Sequence, residues 1–160
     1  LIGNHDFHYL YGIEDRYSRY QRSFAREISS VLESALDAMQ MCYVYKDIVF
    51  NHAGITHSWS THHQIDLKNL ETSLNQKFLQ DRDAFAFVHG LGDQSGNDKR
   101  QSPIWVRPEA LLSDPIAGFH QVVGHTPQTK HLLQNGIAFI DVPGEVFTIE
   151  NADTFNWLSN

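Results

Sequence analysis

The sequence has 160 residues, 41% of them apolar, with ten Phe, six Tyr and three Trp, which is enough for a core and excludes a disordered chain. Its formal charge of −7 argues against a nucleic-acid duplex as partner, because phosphate backbones bind basic surfaces. Cys42 is the only cysteine, so no intrachain disulfide forms, and no apolar run approaches the roughly 20 residues that cross a bilayer; the expectation is a cytoplasmic protein with no membrane partner.

Leu1-Ile2-Gly3-Asn4 reads as the tail of a buried strand, which places the natural N-terminus upstream. Between residues 14 and 40, Phe24, Ile28, Val31, Leu32, Leu36 and Met39 recur mostly at three- and four-residue steps and predict a helix. Met41 to Tyr45 and Ile48 to Phe50 read as a hairpin turning at Lys46-Asp47, and the second strand runs into Asn51-His52-Ala53-Gly54. Residues 67–88 return to a helical pattern with Leu70, Leu74, Phe78 and Leu79 on one face. Residues 89–103 are rich in Gly, Asp, Ser and Asn and mark a loop. Pro108 opens a short predicted helix that ends near Leu112. Gly118 to Val123 predicts a strand that delivers Gly124-His125-Thr126-Pro127, and Ile137 to Asp141 and Val146 to Ile149 predict two more.

Asn4, His5, His52 and His125 thus all fall just past predicted strands, where α/β folds place their ligands. An acidic chain that handles phosphate needs local positive charge, and Arg107, in Trp105-Val106-Arg107, offers a fork of donors matched to phosphate oxygens. His8, His57, His62, His63, His89, His120 and His131 have no motif around them and read as background. Cys42 reads as an inert core residue, and Trp59 and Trp157 as packing. Gly90-Leu91-Gly92 lacks the spacing of a dinucleotide fingerprint.

Taken in order, Gly3-Asn4-His5-Asp6, His52-Ala53-Gly54, Trp105-Val106-Arg107 and Gly124-His125-Thr126-Pro127 resemble the calcineurin-like metallophosphoesterase superfamily. The nearest branch is that of the phosphoprotein phosphatases and symmetric dinucleoside tetraphosphatases, whose final strands Phe139-Ile140-Asp141 and Val146-Phe147-Thr148 also resemble. The resemblance implies an α/β (α+β sandwich) fold of two mixed sheets flanked by helices in four layers. Residues 1–160 would be one such domain lacking its N-terminal strands, with 57–100 a helical insert near the cleft. It also implies a phosphate-ester or phosphoanhydride hydrolase in which two divalent ions (Mn²⁺, with Fe²⁺/Fe³⁺ or Zn²⁺ as alternatives) activate a hydroxide. Asn4, His52 and His125 would bind one metal, His5 would protonate the leaving group, Asp6 would hold its ring, and Arg107 would clamp the phosphate.

The family's Asp-x-His and Gly-Asp-x-x-Asp-Arg motifs belong upstream of Gly3 and are not in this sequence; Asp6-Phe7-His8 overlaps another motif, and Gly92 to Asp98 has the wrong spacing and position. The expectation is therefore a chain inactive alone, completed by an N-terminal segment or stabilised by self-association. The implied substrate is a phosphoprotein, a dinucleoside polyphosphate or a small phosphate ester. The alternative is a non-catalytic module that binds phosphate, metal or a protein partner.

Overall fold

The computed structural model describes residues 1–12, 20–90 and 95–145. The predicted strand Val146 to Ile149, residues 14–19 of the first predicted helix, Leu91 and Gly92 and Trp157 lie outside the described residues.

The first helix, α1 (Asn4–Tyr11), begins earlier than expected, inside the Gly-Asn-His-Asp motif. Asn4, Phe7, His8 and Leu10 are its buried face, a helical spacing in place of the expected strand tail. Gly12 ends it in the left-handed region, φ 78°, with its N–H on the His8 carbonyl at 2.9 Å, a common helix stop. The helix expected over 14–40 is shorter: α2 (Ala25–Ser34), flanked by three-ten turns at Arg22–Phe24 and Leu36–Ala38.

The hairpin forms as β1 (Cys42–Tyr45) and β2 (Ile48–Asn51), antiparallel, with Lys46 at φ 55° in the turn. Then come α3 (His57–His62), α4 (Leu70–Gln80), α5 (Pro108–Ser113), β3 (His120–Val123), β4 (Leu132–Gln134) and β5 (Ile137–Phe139). Leu70, Leu74 and Phe78 bury as the periodicity requires, but Leu79 is 64% exposed, because it stands one residue, about 100°, beyond Phe78 on the helix.

The described residues hold one five-stranded mixed sheet in the order β1-β2-β3-β5-β4, which corrects the expectation of two sheets in four layers. The physical reason is continuity: β2–β3 and β3–β5 pair in parallel and β4–β5 antiparallel, so all five strands share a single ladder. Val49 joins the main core with Phe7, Trp59, Leu74, Phe78, Phe85 and Ile104, while Val123, Ile137 and Phe139 pack with Ala53, Val106, Ala110 and Leu111 in a second core cluster. Ile48, Val122 and Ala138 alternate onto the other face, the period-two pattern of a strand.

Helix α4 closes the outer edge of β1. Asn75 Oδ1 accepts from Met41 N at 2.7 Å and more weakly from Cys42 N at 3.5 Å, Asn75 Nδ2 donates to the Cys42 carbonyl at 3.2 Å, and Glu71 Oε2 accepts from Val44 N at 2.6 Å. Side chains thus satisfy groups that an adjoining strand would otherwise take. Asn75→Ala should cost about 1–3 kcal/mol, the penalty of orphaned buried donors. Asn75→Asp, which retains the acceptor, should cost less. Urea unfolding of both variants checks this, and equal losses would show that the acceptor is not what matters.

Candidate functional site

Three neighbouring strands end at one place. Asn51 of β2 is in register with Val123 of β3, and Val123 with Phe139 of β5. The chain therefore leaves these strands side by side into His52, Gly124-His125 and Ile140-Asp141. The ladder continues one step, with Gly124 N donating to the His52 carbonyl at 2.9 Å and Ile140 N to the Val123 carbonyl at 2.9 Å. Buried Gln121 pins the loop after His52, accepting from Ile55 N at 2.7 Å and donating to the Ile55 carbonyl at 3.0 Å. The Pro103 carbonyl accepts from Ala53 N at 2.8 Å and from Asn51 Nδ2 at 3.2 Å, which brings Trp105 and Arg107 to the same strand ends.

The result is a cleft of about 800 Å³ into which the start of α1 also opens. Asn4, His5, Asp6, His52, Arg107 and His125 all line it, so every predicted site residue is gathered here. His52 Nε2 lies 2.8 Å from Asn4 Oδ1 and 3.1 Å from His125 Nδ1. The direction of these bonds follows the tautomer: a proton on His52 Nε2 would serve Asn4 Oδ1 and His125 Nδ1 together. Gly3 is needed beside that ring, since a Cβ there would sit 2.9 Å from His52 Cε1 and Nδ1.

His125 is presented by a tight turn. Its φ is 66°, and Thr126 N reaches back to the Gly124 carbonyl at 2.8 Å, the three-residue closure of a γ-turn with a strained central residue. Strain of this kind, about 1–3 kcal/mol, tends to collect at functional positions. Arg107 donates from Nε to the Ser95 carbonyl at 2.9 Å and from Nη1 to Thr126 Oγ1 at 3.1 Å, so the turn that carries His125 also holds the guanidinium. Asp6 behaves differently from expectation: its Oδ2 accepts from Gly3 N at 2.9 Å and caps α1, and no hydrogen bond joins it to the His5 ring among the described residues. The sequence reading had no role for Thr126, Ser95, Gly3 or Asp141, although Thr126 lies within a quoted motif and Asp141 lines the cleft.

Burial pushes the His52 imidazole down to about 4, with Asp6 partly opposing. Burial, then His52 and Arg107, push His125 down to about 3. Both rings are neutral at pH 7. An unfolded imidazole titrates near 6.5, so below that pH the unfolded chain takes up protons that the folded chain refuses. The stability tied to these rings is thus complete above about pH 6.5 and is lost as pH falls toward 4. The expected loss between pH 7 and pH 4.5 is at most about 3 kcal/mol per ring. Denaturant unfolding across that range checks it: His52→Asn should flatten the slope, and an unchanged slope would remove His52 from the cause.

No family model and no curated protein matches the chain. Among solved structures it is similar to a mutant of a cold-active protein tyrosine phosphatase, 22% identical with a TM-score of 0.49, over 89% of this chain and 49% of that one. A second structure of a cold-active protein tyrosine phosphatase is 22% identical, TM-score 0.48, over 89% and 48%. That from a psychrophilic Shewanella species is 19% identical, TM-score 0.48, over 89% and 49%. The chain spans about half the length of each of these structures.

The expected membership of the calcineurin-like metallophosphoesterases is corrected: the solved structures that match are described as protein tyrosine phosphatases. The two-metal hydroxide mechanism and the Mn²⁺, Fe²⁺/Fe³⁺ or Zn²⁺ cofactors are withdrawn with it. Among the described residues no group of three or more His, Cys, Asp or Glu is placed to hold a metal ion. Asn4, His52 and His125 supply two imidazoles and an amide, without a carboxylate to balance an ion's charge, and His52 Nε2 is engaged with Asn4 Oδ1 and His125 Nδ1.

Proposed function

We propose that this cleft hydrolyses phosphate esters. The observation that carries the reading is the convergence of Arg107, His5 and the hydrogen-bonded Asn4–His52–His125 group around one cleft. The opening turn of α1 lines the same cleft through Gly3, Asn4 and His5, and the positive end of a helix dipole favours an anion, offset in part by Asp6. The fold likeness, at 22% identity or less, contributes nothing to the argument; the phosphatases it names illustrate the class of substrate, a phosphorylated ester.

In this reading Arg107 pairs with the non-bridging phosphate oxygens, held in aim by Thr126 and the Ser95 carbonyl. A water oxygen forms the new bond to phosphorus, the bond to the ester oxygen breaks, His5 gives its proton to the departing alkoxide, and the proton released by the attacking water passes through solvent to restore His5. His52 and His125, neutral and half-buried, do not act as acids at pH 7; they tie Asn4 and the γ-turn into one rigid wall.

Release of inorganic phosphate from aryl and alkyl phosphates tests the function. Arg107→Ala should lower kcat/KM about 10–150-fold, the worth of charge-assisted hydrogen bonds of about 1.5–3 kcal/mol. Arg107→Lys should recover only part, because a point charge does not reproduce the fork. Activity that survives Arg107→Ala undiminished would remove the cleft from the reaction.

A further inference from the structure

The geometry points to Asp141 as the group that takes the proton of the attacking water. This role rests on the hydrolysis proposed for the cleft, and it names the first acceptor of that proton, ahead of the solvent.

Asp141 enters the cleft at the end opposite His5. The strands run β2-β3-β5 across its floor, so His52, Gly124-His125 and Ile140-Asp141 emerge in that order. Helix α1 starts at the His52 end, with Asn4 Oδ1 2.8 Å from His52 Nε2 and Gly3 against the His52 ring. Arg107 is tied to Thr126, just past the middle strand. Two strand spacings, about 10 Å, separate the His52 end from the Asp141 end. In-line attack sets the water and the leaving oxygen on opposite sides of phosphorus. A hydrogen bond of about 2.6–3.2 Å at each end and a near-attack approach of about 3–3.5 Å, with one phosphorus–oxygen bond, fill the same span. A phosphate held by Arg107 at the middle strand thus has His5 on its leaving side and Asp141 on the side that the water enters.

Asp141 is presented much as His125 is. Val142 N donates to the Ile140 carbonyl at 2.8 Å, a three-residue closure around Asp141 at the end of β5 that repeats the one around His125 at the end of β3. Gln128 N donates to the Asp141 carbonyl at 2.8 Å, so the loop after His125 fixes this turn as well. The side chain is half-buried, with its Cβ beside Gly124, and it lines the cleft. The two carboxylates of the cleft differ in employment. Asp6 accepts the Gly3 N–H, whereas among the described residues no hydrogen bond or ion pair engages the carboxylate of Asp141. An ionised carboxylate only accepts, as a base must. The imidazoles are less suited: His125 Nε2 is shut off from solvent, and burial lowers the basicity of both His52 and His125. In the step itself the water oxygen bonds to phosphorus and one of its protons moves to an Asp141 oxygen. The ester bond breaks with its electron pair on the departing oxygen, which takes the His5 proton. Asp141 then returns its proton through solvent to His5, and both groups are restored.

The experiment measures kcat for the parent, Asp141→Asn and His5→Ala on 4-nitrophenyl phosphate and n-propyl phosphate, with inhibition by inorganic phosphate as the gauge of anion binding. Asp141→Asn keeps the shape of the side chain, and circular dichroism confirms the fold. A loose phosphoryl-transfer transition state draws little charge onto the attacking oxygen. Asp141→Asn should therefore lower kcat by the small end of the usual range for a general base, about 10²-fold, and equally on both esters. His5→Ala should instead discriminate strongly between them. Inhibition by phosphate should hold or strengthen in Asp141→Asn, because a carboxylate repels a neighbouring anion, whereas Arg107→Ala should weaken it. An undiminished kcat in Asp141→Asn, a loss confined to propyl phosphate, or phosphate inhibition that weakens in step with kcat would each overturn the role of Asp141 alone. A parent that releases no phosphate, or whose release is indifferent to Arg107→Ala, would overturn the hydrolysis at this cleft and the role of Asp141 with it.

Discussion

Under the proposed hydrolysis, His5→Ala should lower kcat about 10²–10⁴-fold on alkyl phosphates, the usual worth of a positioned general acid, and far less on 4-nitrophenyl phosphate. The difference is chemical: an alkoxide leaves poorly without a proton, whereas a nitrophenolate leaves well unaided. His5 occupies the first turn of α1, exposed and lining the cleft. Its neighbours in that turn have structural duties, Asn4 to His52 and Asp6 to the Gly3 N–H. Truncating an exposed ring removes little packing, so the melting temperature should hold while turnover falls. The measurement is kcat across a series of leaving groups for the parent and the variant. An equal loss on every ester would show that His5 acts through something other than protonation of the leaving oxygen.

Gly54→Ala should be the most damaging single change to stability. Gly54 has φ 116°, and an added Cβ would stand 2.2 Å from Leu111 Cδ2, a fully buried side chain packed with Val123, Ile137 and Phe139. Backbone strain of about 1–3 kcal/mol adds to overpacking of about 1–3 kcal/mol. At about 2–4 °C per kcal/mol for a chain of this size, the melting temperature should drop by roughly 5–20 °C. The double variant separates the two causes. With Leu111→Ala already present, the clash is relieved and the further cost of Gly54→Ala should shrink to the strain alone. An unchanged cost in that background would leave strain as the whole explanation.

The elements that sequence reading placed well were those with a strong local signal. The hairpin from Met41 to Phe50 sets two short apolar runs around a polar turn, and Pro108 sets the start of α5 through its fixed φ. The approach of His52 and His125 was legible because the strands before them, β2 and β3, were legible, whereas Asn4, His5 and Asp6 reach the cleft from a helix start in place of the expected strand end. Errors arose where local pattern is ambiguous. Leu1 to Asn4 is too short to show whether it ends a strand or begins a helix, and Gly3 serves either purpose. The count of sheets depended on strand neighbours far apart in sequence, which periodicity does not report. Asp6 followed the ring it was expected to hold, but an acidic residue three positions after an N-cap finds the cap N–H closer at hand. Resemblance also carried more than the residues themselves support: it supplied ions to three side chains that hydrogen-bond to one another through His52 Nε2 and bring no carboxylate.

The register of β2 against β3 has a kinetic consequence. Asn4 and His52 are 48 residues apart in the chain, and His52 and His125 are 73 apart, so neither contact can form by local collapse. Each waits for parallel pairings that close long loops, and such closures are slow because their entropy is lost before the contacts that repay it exist. The cleft should therefore be among the last features to appear during refolding, after the 41–51 hairpin and the helices. A spectroscopic probe on His125 would report completion of the whole molecule, with no earlier phase of its own.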